Sequence, residues 1–141
     1  MNSLEYAIEL AVNVHKGQKD RYGKPYILHP MRVMLKMENE AEMITAILHD
    51  VVEDSDTSLD ELRKEGFTEE VVEAIDCLSK RDGEEYFDYI KRAISTTLSR
   101  KIKLADLEDN MDLRRIDIIQ EKDTNRMKRY LKAWKIVKEN P

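Results

Sequence analysis

In the stretch Ile44–Asp54, ITAILHDVVED, an imidazole stands beside three carboxylates with no basic residue among them. At about 100° per residue, Ile44, Ile47, Leu48 and Val51 fall on one arc of a helix. His49, Asp50, Glu53 and Asp54 occupy an arc of roughly 140° on the other side. A solvated helix face mixes Lys, Glu and Gln, whereas this one is composed to receive a cation. His49 and Asp50 are neighbours, so they hold one metal ion only if further ligands arrive from elsewhere in the chain. A two-residue motif recurs by accident, and the weight of the reading rests on those other ligands.

Two more pieces supply them. His29 precedes Pro30, which disfavours helical backbone at His29 and suits the first position of a helix through Met31, Val33, Met34 and Met37. Asp106 and Asn110 are four residues apart and share the polar face of a helix whose other face carries Ile102, Leu107 and Met111. His29, His49, Asp50 and Asp106 then make a set of two imidazoles and two carboxylates. With no thiolate among them, this set suits a borderline-to-hard divalent ion such as Mn²⁺, about one per chain, with Zn²⁺ and Fe²⁺ also compatible.

The elements that must position these residues read as helices throughout. Ser3 is a predicted N-cap for a helix ending near Gly17, and His15–Pro30 forms the one long loop. Ser58 and Glu61 have capping-box spacing for a short helix closed by Gly66, and Thr68 caps the next, which runs to about Lys80. Tyr86, Phe87, Tyr89, Ile90, Ala93 and Ile94 mark a helix whose aromatics are expected in the core. The polar and apolar alternation from Arg100 to Met111 marks another, and Thr124 is expected to cap a C-terminal helix with Met127, Tyr130, Leu131, Trp134 and Val137 as its packing stripe. No strand pair, repeat or Gly-rich phosphate loop appears. The fold expected is all-α, a single-domain helical bundle over residues 1–141.

Composition sets the remaining bounds. A chain of 141 residues fits one domain with one core, and 38% charged against 41% hydrophobic residues suits a folded helical protein. The formal charge of −5, with basic residues dispersed among acids, excludes phosphate tracking along nucleic acid. No apolar run reaches the roughly 20 residues a membrane span requires. The single Cys77 reads as a small core residue in a reducing compartment, so a cytoplasmic location is expected. Nothing in the sequence specifies an oligomeric state.

Taken together, the motifs resemble the HD-type metal-dependent phosphohydrolases, and within them the small alarmone hydrolases related to the Rel/Spo hydrolase domain. The likeness is carried by His15-Lys16-Gly17-Gln18, by Gly23-Lys24-Pro25-Tyr26-Ile27-Leu28-His29-Pro30, by His49-Asp50-Val51-Val52-Glu53-Asp54, and by Lys103-Leu104-Ala105-Asp106 with Asn110-Met111. The resemblance implies an HD-type bundle holding Mn²⁺ through His29, His49, Asp50 and Asp106, with Glu53 and Asp54 activating water. It also implies a nucleotide held by Arg21 and Asn110, with Lys103 and Lys24 placed to neutralise its phosphates. The implied reaction is removal of pyrophosphate from the 3′ position of ppGpp or pppGpp, in a hydrolase-only member. The sequence departs from the family pattern at Asp20, Leu107 and Asp112, where basic residues are usual. At Asp20 a guanine-stacking side chain is lost, so Asp20→Arg is expected to strengthen nucleotide binding. Two other readings fit the same residues: a phosphomonoesterase acting on a nucleoside monophosphate or the 2′-phosphate of NADPH, and a non-catalytic nucleotide-sensing module.

Overall fold

A computed structural model describes residues 3–140. The expected all-α architecture is observed: eight α-helices among the described residues, α1 Leu4–His15, α2 Leu28–Leu35, α3 Glu40–Leu48, α4 Leu59–Lys64, α5 Glu69–Leu78, α6 Tyr86–Ala93, α7 Thr97–Asn110 and α8 Glu121–Glu139, with one 3₁₀ turn at Leu113–Arg115. The only extended pairing among the described residues is an isolated bridge between Lys19 and Pro25.

Local chemistry starts most of these helices. Side-chain oxygens of Ser3, Asn39, Ser58, Thr68, Glu85 and Thr96 accept from backbone N–H groups of the first turns, satisfying donors that have no intrahelical acceptor. Gly17 and Gly66 follow the ends of α1 and α4 at φ +84° and +95°, backbone that a side chain would strain. The C-terminal helix starts earlier than its sequence implied. The carboxylate of Asp123 accepts from Gln120 N at 3.0 Å, and Thr124 sits inside α8 with its hydroxyl on Gln120 O.

Helix α3 is the hub, packed against α1, α2, α5 and α7, while α8 lies along α7. Ile47 and Leu48 from α3, Ile75 from α5 and Ile102 and Leu107 from α7 meet in a core that excludes water from each of them almost entirely. Truncating one such side chain to Ala costs about 2–5 kcal/mol. This packing fixes the ends of α2 and α3 against the middle of α7, and all four expected metal-ligand positions lie there.

Two boundaries near the site differ from expectation. Helix α2 begins at Leu28, so His29 lies inside its first turn rather than ahead of it. Pro30 lacks an N–H, but in a first turn that donor has no helical partner to lose, and Met31 N already reaches Ile27 O at 3.1 Å. Helix α3 ends at Leu48, not Asp54. Beyond it the backbone closes tighter turns, with His49 N on Ala46 O and Val51 N on Leu48 O. The His49 ring and the Ser55 hydroxyl then occupy carbonyls of Ala46 and Val51 that a continuing helix would have used.

Candidate metal centre and nucleotide cavity

His29 from α2, His49 and Asp50 from the end of α3, and Asp106 from α7 converge on one point. His29 Nε2 lies 2.8 Å from Asp106 Oδ1 and 3.7 Å from Asp50 Oδ2. His49 Nε2 lies 3.1 Å from Asp50 Oδ2 and 3.4 Å from Asp106 Oδ1. All four residues are buried, the most exposed being Asp50 at 8%. Ligand atoms of His29, His49 and Asp50 all fall within 4.8 Å of one another.

The hydrogen bonds of the opposite ring nitrogens fix the tautomers. His29 Nδ1 donates to Asp109 Oδ2 at 2.6 Å, and His49 Nδ1 donates to Ala46 O at 2.5 Å. Each neutral ring therefore turns its Nε2 lone pair toward the carboxylates of Asp50 and Asp106. Lone pair against carboxylate is repulsive unless a proton or a cation lies between them. Without a metal a proton fills the role: burial opposes charge on His49, but Asp50 and Asp106 outweigh it and raise its pKa well above 6.5. His49 Nε2 has no aligned hydrogen-bond partner. The donor set and its geometry fit a divalent ion.

Several residues that the sequence analysis overlooked support this centre. The Tyr26 hydroxyl donates to Asp50 Oδ2 at 2.6 Å. Asp109 is gripped by Arg32 at 2.7 and 3.1 Å and by Arg115 at 3.1 Å; burial pushes its carboxyl up, but His29 and Arg32 outweigh it and hold it well below the usual range. The i, i+3 spacing of Asp106 and Asp109 was the available signal, since a helix places both on one side.

Above the four residues opens a cavity of about 490 Å³, lined by Lys19, Arg21, Lys80, Lys103, Arg115, Arg126 and Arg129, by Tyr22, Tyr26, Tyr86, Tyr89 and Tyr130, and by Asn110, Asp20 and Glu53. A chain of net charge −5 thus gathers seven basic side chains around one opening, against the carboxylates of Asp20, Asp50, Glu53 and Asp106, and the local excess of positive charge attracts a small anion. Of the α6 aromatics expected in the core, Tyr89 is buried there and Tyr86 and Phe87 pack against it, while Tyr86 and Tyr89 also reach the cavity wall. Arg129 stacks over the Tyr86 ring at 4.7 Å.

The other expected site residues divide. Arg21 and Asn110 line the cavity, whereas Lys24 does not. Lys103 is buried and reaches inward to Asp106 Oδ2 at 2.8 Å and the Tyr89 hydroxyl at 3.1 Å, so its charge is already used. Glu53 lines the cavity and accepts from Lys80 N at 2.6 Å. Asp54, the next residue, is exposed and does not line the cavity; its carbonyl is held by Gln18 Nε2 at 3.2 Å. The surrounding protein, then the charges of Asp50 and Glu53, push the Asp54 carboxyl up to about 7. Asp20 reverses its expectation: Oδ1 accepts from Tyr22 N and Lys24 N at 2.8 and 3.0 Å and Oδ2 from Arg115 at 3.2 Å. It is the organiser of the 19–25 loop, which an arginine could not replace. Cys77, expected in the core, is half-buried with its sulfur against Ser95 Oγ.

The HD domain family model matches residues 7–115. The chain belongs to the HD domain family. It is 34% identical over 119 residues to a guanosine-3′,5′-bis(diphosphate) 3′-pyrophosphohydrolase of Aquifex aeolicus, covering 77% of this chain and 17% of that protein. It is 32% identical over 113 residues to the protein of the same name from Vibrio cholerae, covering 77% and 16%. This HD chain therefore spans about a sixth of the length of either relative. Its fold is shared with the solved structure of a metazoan ortholog of SpoT, described as hydrolysing ppGpp, at a TM-score of 0.77 and 22% identity over 95% of this chain and 84% of that one.

Proposed function

We propose that this HD protein hydrolyses the 3′-pyrophosphate of ppGpp and pppGpp to GDP or GTP and pyrophosphate, with one Mn²⁺ per chain held by His29, His49, Asp50 and Asp106, residues 1–141 working as one module in the cytoplasm. The observation that carries this reading is the pair of imidazole Nε2 atoms facing the shared carboxylates of Asp50 and Asp106 beneath a cavity rimmed by cations and aromatic rings. The names of the relatives supply the substrate class.

A divalent ion held by these residues would supply Lewis acidity and lower the pKa of water towards about 7. The chain's own groups do the rest. Tyr26 and Lys103 fix the orientation of Asp50 and Asp106. Glu53 and Asp54 receive the proton of the attacking water and return one to the leaving group. The water oxygen joins the phosphorus next to the sugar, the bond from that phosphorus to the ribose 3′-oxygen breaks, and the proton goes to that oxygen. Arg21, Arg129 and Asn110 hold the nucleotide, since Arg21 and Arg129 have no ion-pair partner among the described residues. Water is shed from the cavity by Tyr22, Tyr86 and Tyr130, whose rings offer stacking faces to a base.

One observation favours a less charged substrate. Arg115 and Arg126, both at the cavity, are already paired with Asp20 and Asp109 and with Asp123, leaving fewer free cations for a polyphosphate. Phosphorus NMR of reactions with Mn²⁺ and either ppGpp, NADPH or nucleoside monophosphates distinguishes the readings. Pyrophosphate from ppGpp is expected. Orthophosphate from NADPH or a monophosphate with ppGpp intact would establish the phosphomonoesterase instead, and nucleotide binding without any product would establish a sensor.

A further inference from the structure

We infer that Arg115 is a positioning residue that couples the 19–25 loop to the metal centre, so that Asp20, which lines the cavity but bonds to none of the proposed metal ligands, helps to set metal affinity. The inference rests on the metal ligation proposed above. The path is continuous and short. Asp20 Oδ2 accepts from Arg115 at 3.2 Å, a second nitrogen of the same guanidinium donates to Asp109 Oδ2 at 3.1 Å and to Asp109 O at 3.1 Å, and Asp109 Oδ2 accepts from His29 Nδ1 at 2.6 Å. The other face of that ring presents Nε2 to Asp106 and Asp50.

Each link transmits something specific. A carboxylate holding the Nδ1 proton of a metal-ligating histidine sets the ring's orientation and strengthens Nε2 as a donor. Asp109 performs that task while sharing its charge with Arg32 and Arg115. The planar guanidinium is the one side chain that can span two carboxylates with separate N–H groups in fixed geometry. Asp20 takes part of the Arg115 charge, which leaves Asp109 more basic toward His29. The same carboxylate closes the loop through the N–H groups of Tyr22 and Lys24, and Arg115 also packs over the Tyr22 ring at 5.6 Å. Loop order and ring orientation therefore share one guanidinium.

The test is a double-mutant cycle read on Mn²⁺ affinity, by the electron paramagnetic resonance signal of free Mn²⁺, on metal-stripped full-length protein without nucleotide. Asp20→Asn should weaken Mn²⁺ binding by about fivefold in the wild-type background, a coupling of ordinary size for charges in one network. The same substitution should change it by less than about twofold once Arg115 is Gln. Arg115→Lys, which keeps the charge but cannot reach both carboxylates, serves as the second background and should abolish the Asp20 effect equally, even if the Gln variant does not fold. An unchanged affinity in Asp20→Asn would overturn the inference, as would an equal loss in every background. Absence of Mn²⁺ binding by the wild type would overturn this inference and the proposed function together, whereas binding without the Asp20 effect would overturn this inference alone.

Discussion

The Tyr26 hydroxyl donates to Asp50 Oδ2 at 2.6 Å, the same oxygen that faces His49 Nε2 at 3.1 Å. Burial and then the Asp50 charge raise the pKa of this hydroxyl, so it remains a donor across the working pH range and fixes which lone pair Asp50 offers. Tyr26→Phe is expected to fold normally and to bind Mn²⁺ roughly 10-fold more weakly, as for the loss of other outer partners of metal ligands. Calorimetric titration checks this, and an unaltered affinity would remove Tyr26 from the centre.

Metal and protons compete for the same lone pairs. In the metal-free protein burial opposes charge on both rings, but Asp106 and Asp109 raise His29 and Asp50 and Asp106 raise His49. A raised histidine stabilises the fold fully below its unfolded value of 6.5, and that contribution is lost as the pH rises through the folded value. Mn²⁺ binding must displace these protons, so affinity falls as the pH is lowered. Thermal melts with and without Mn²⁺ should therefore show a larger metal-induced rise in Tm at pH 8 than at pH 6. Equal rises at both would argue against ligation by these rings.

Glu53→Gln and Asp54→Asn are expected to keep their metal while losing about 100-fold or more in turnover. The carboxyl of Asp54 is raised from 3.8 to about 7, first by burial and then by Asp50 and Glu53. Protonated Asp54 thus favours the folded state below pH 3.8, and this contribution disappears as the pH rises through about 7. Metal-free Asp54→Asn should melt above the wild type at pH 8, by a margin that shrinks toward pH 4. Elemental analysis and melts over that range check both points; metal loss in either variant would make the residue a ligand instead.

Cavity geometry separates the basic residues. Arg21→Ala is expected to raise KM by roughly 10-fold through loss of a charge-assisted phosphate contact, and Lys24→Ala, outside the cavity, to leave it within about twofold. Steady-state kinetics on ppGpp decide; equal effects would mean that the nucleotide lies across the loop rather than in the cavity.

Asp20→Arg is expected to raise KM and lower Tm, because it removes the acceptor for Tyr22 N, Lys24 N and Arg115 and sets a second cation against Arg115. A lower KM would restore the idea that this position contacts only the nucleotide.

The sequence by itself determined the helical class and named the residues that meet at the centre. Apolar residues at helical spacing, with Ser3, Ser58 and Thr68 ahead of them, report local geometry that side chains encode within a few residues. The convergence of His29, His49, Asp50 and Asp106 was legible because two imidazoles and two carboxylates on otherwise amphipathic elements have few structural uses. Tertiary packing decided the rest. Helix α3 stops at Leu48, where the His49 ring claims the Ala46 carbonyl that the Asp50 N–H of a continuing helix would use, a competition that periodicity does not register. Lys103 turns inward to Asp106 and Lys24 falls outside the cavity, since a charge's partner depends on which helices meet. Asp20 was misread for the same reason: its partner Arg115 is 95 residues away, and pairing over that distance is set by how α7 and the turn after it pack against the loop.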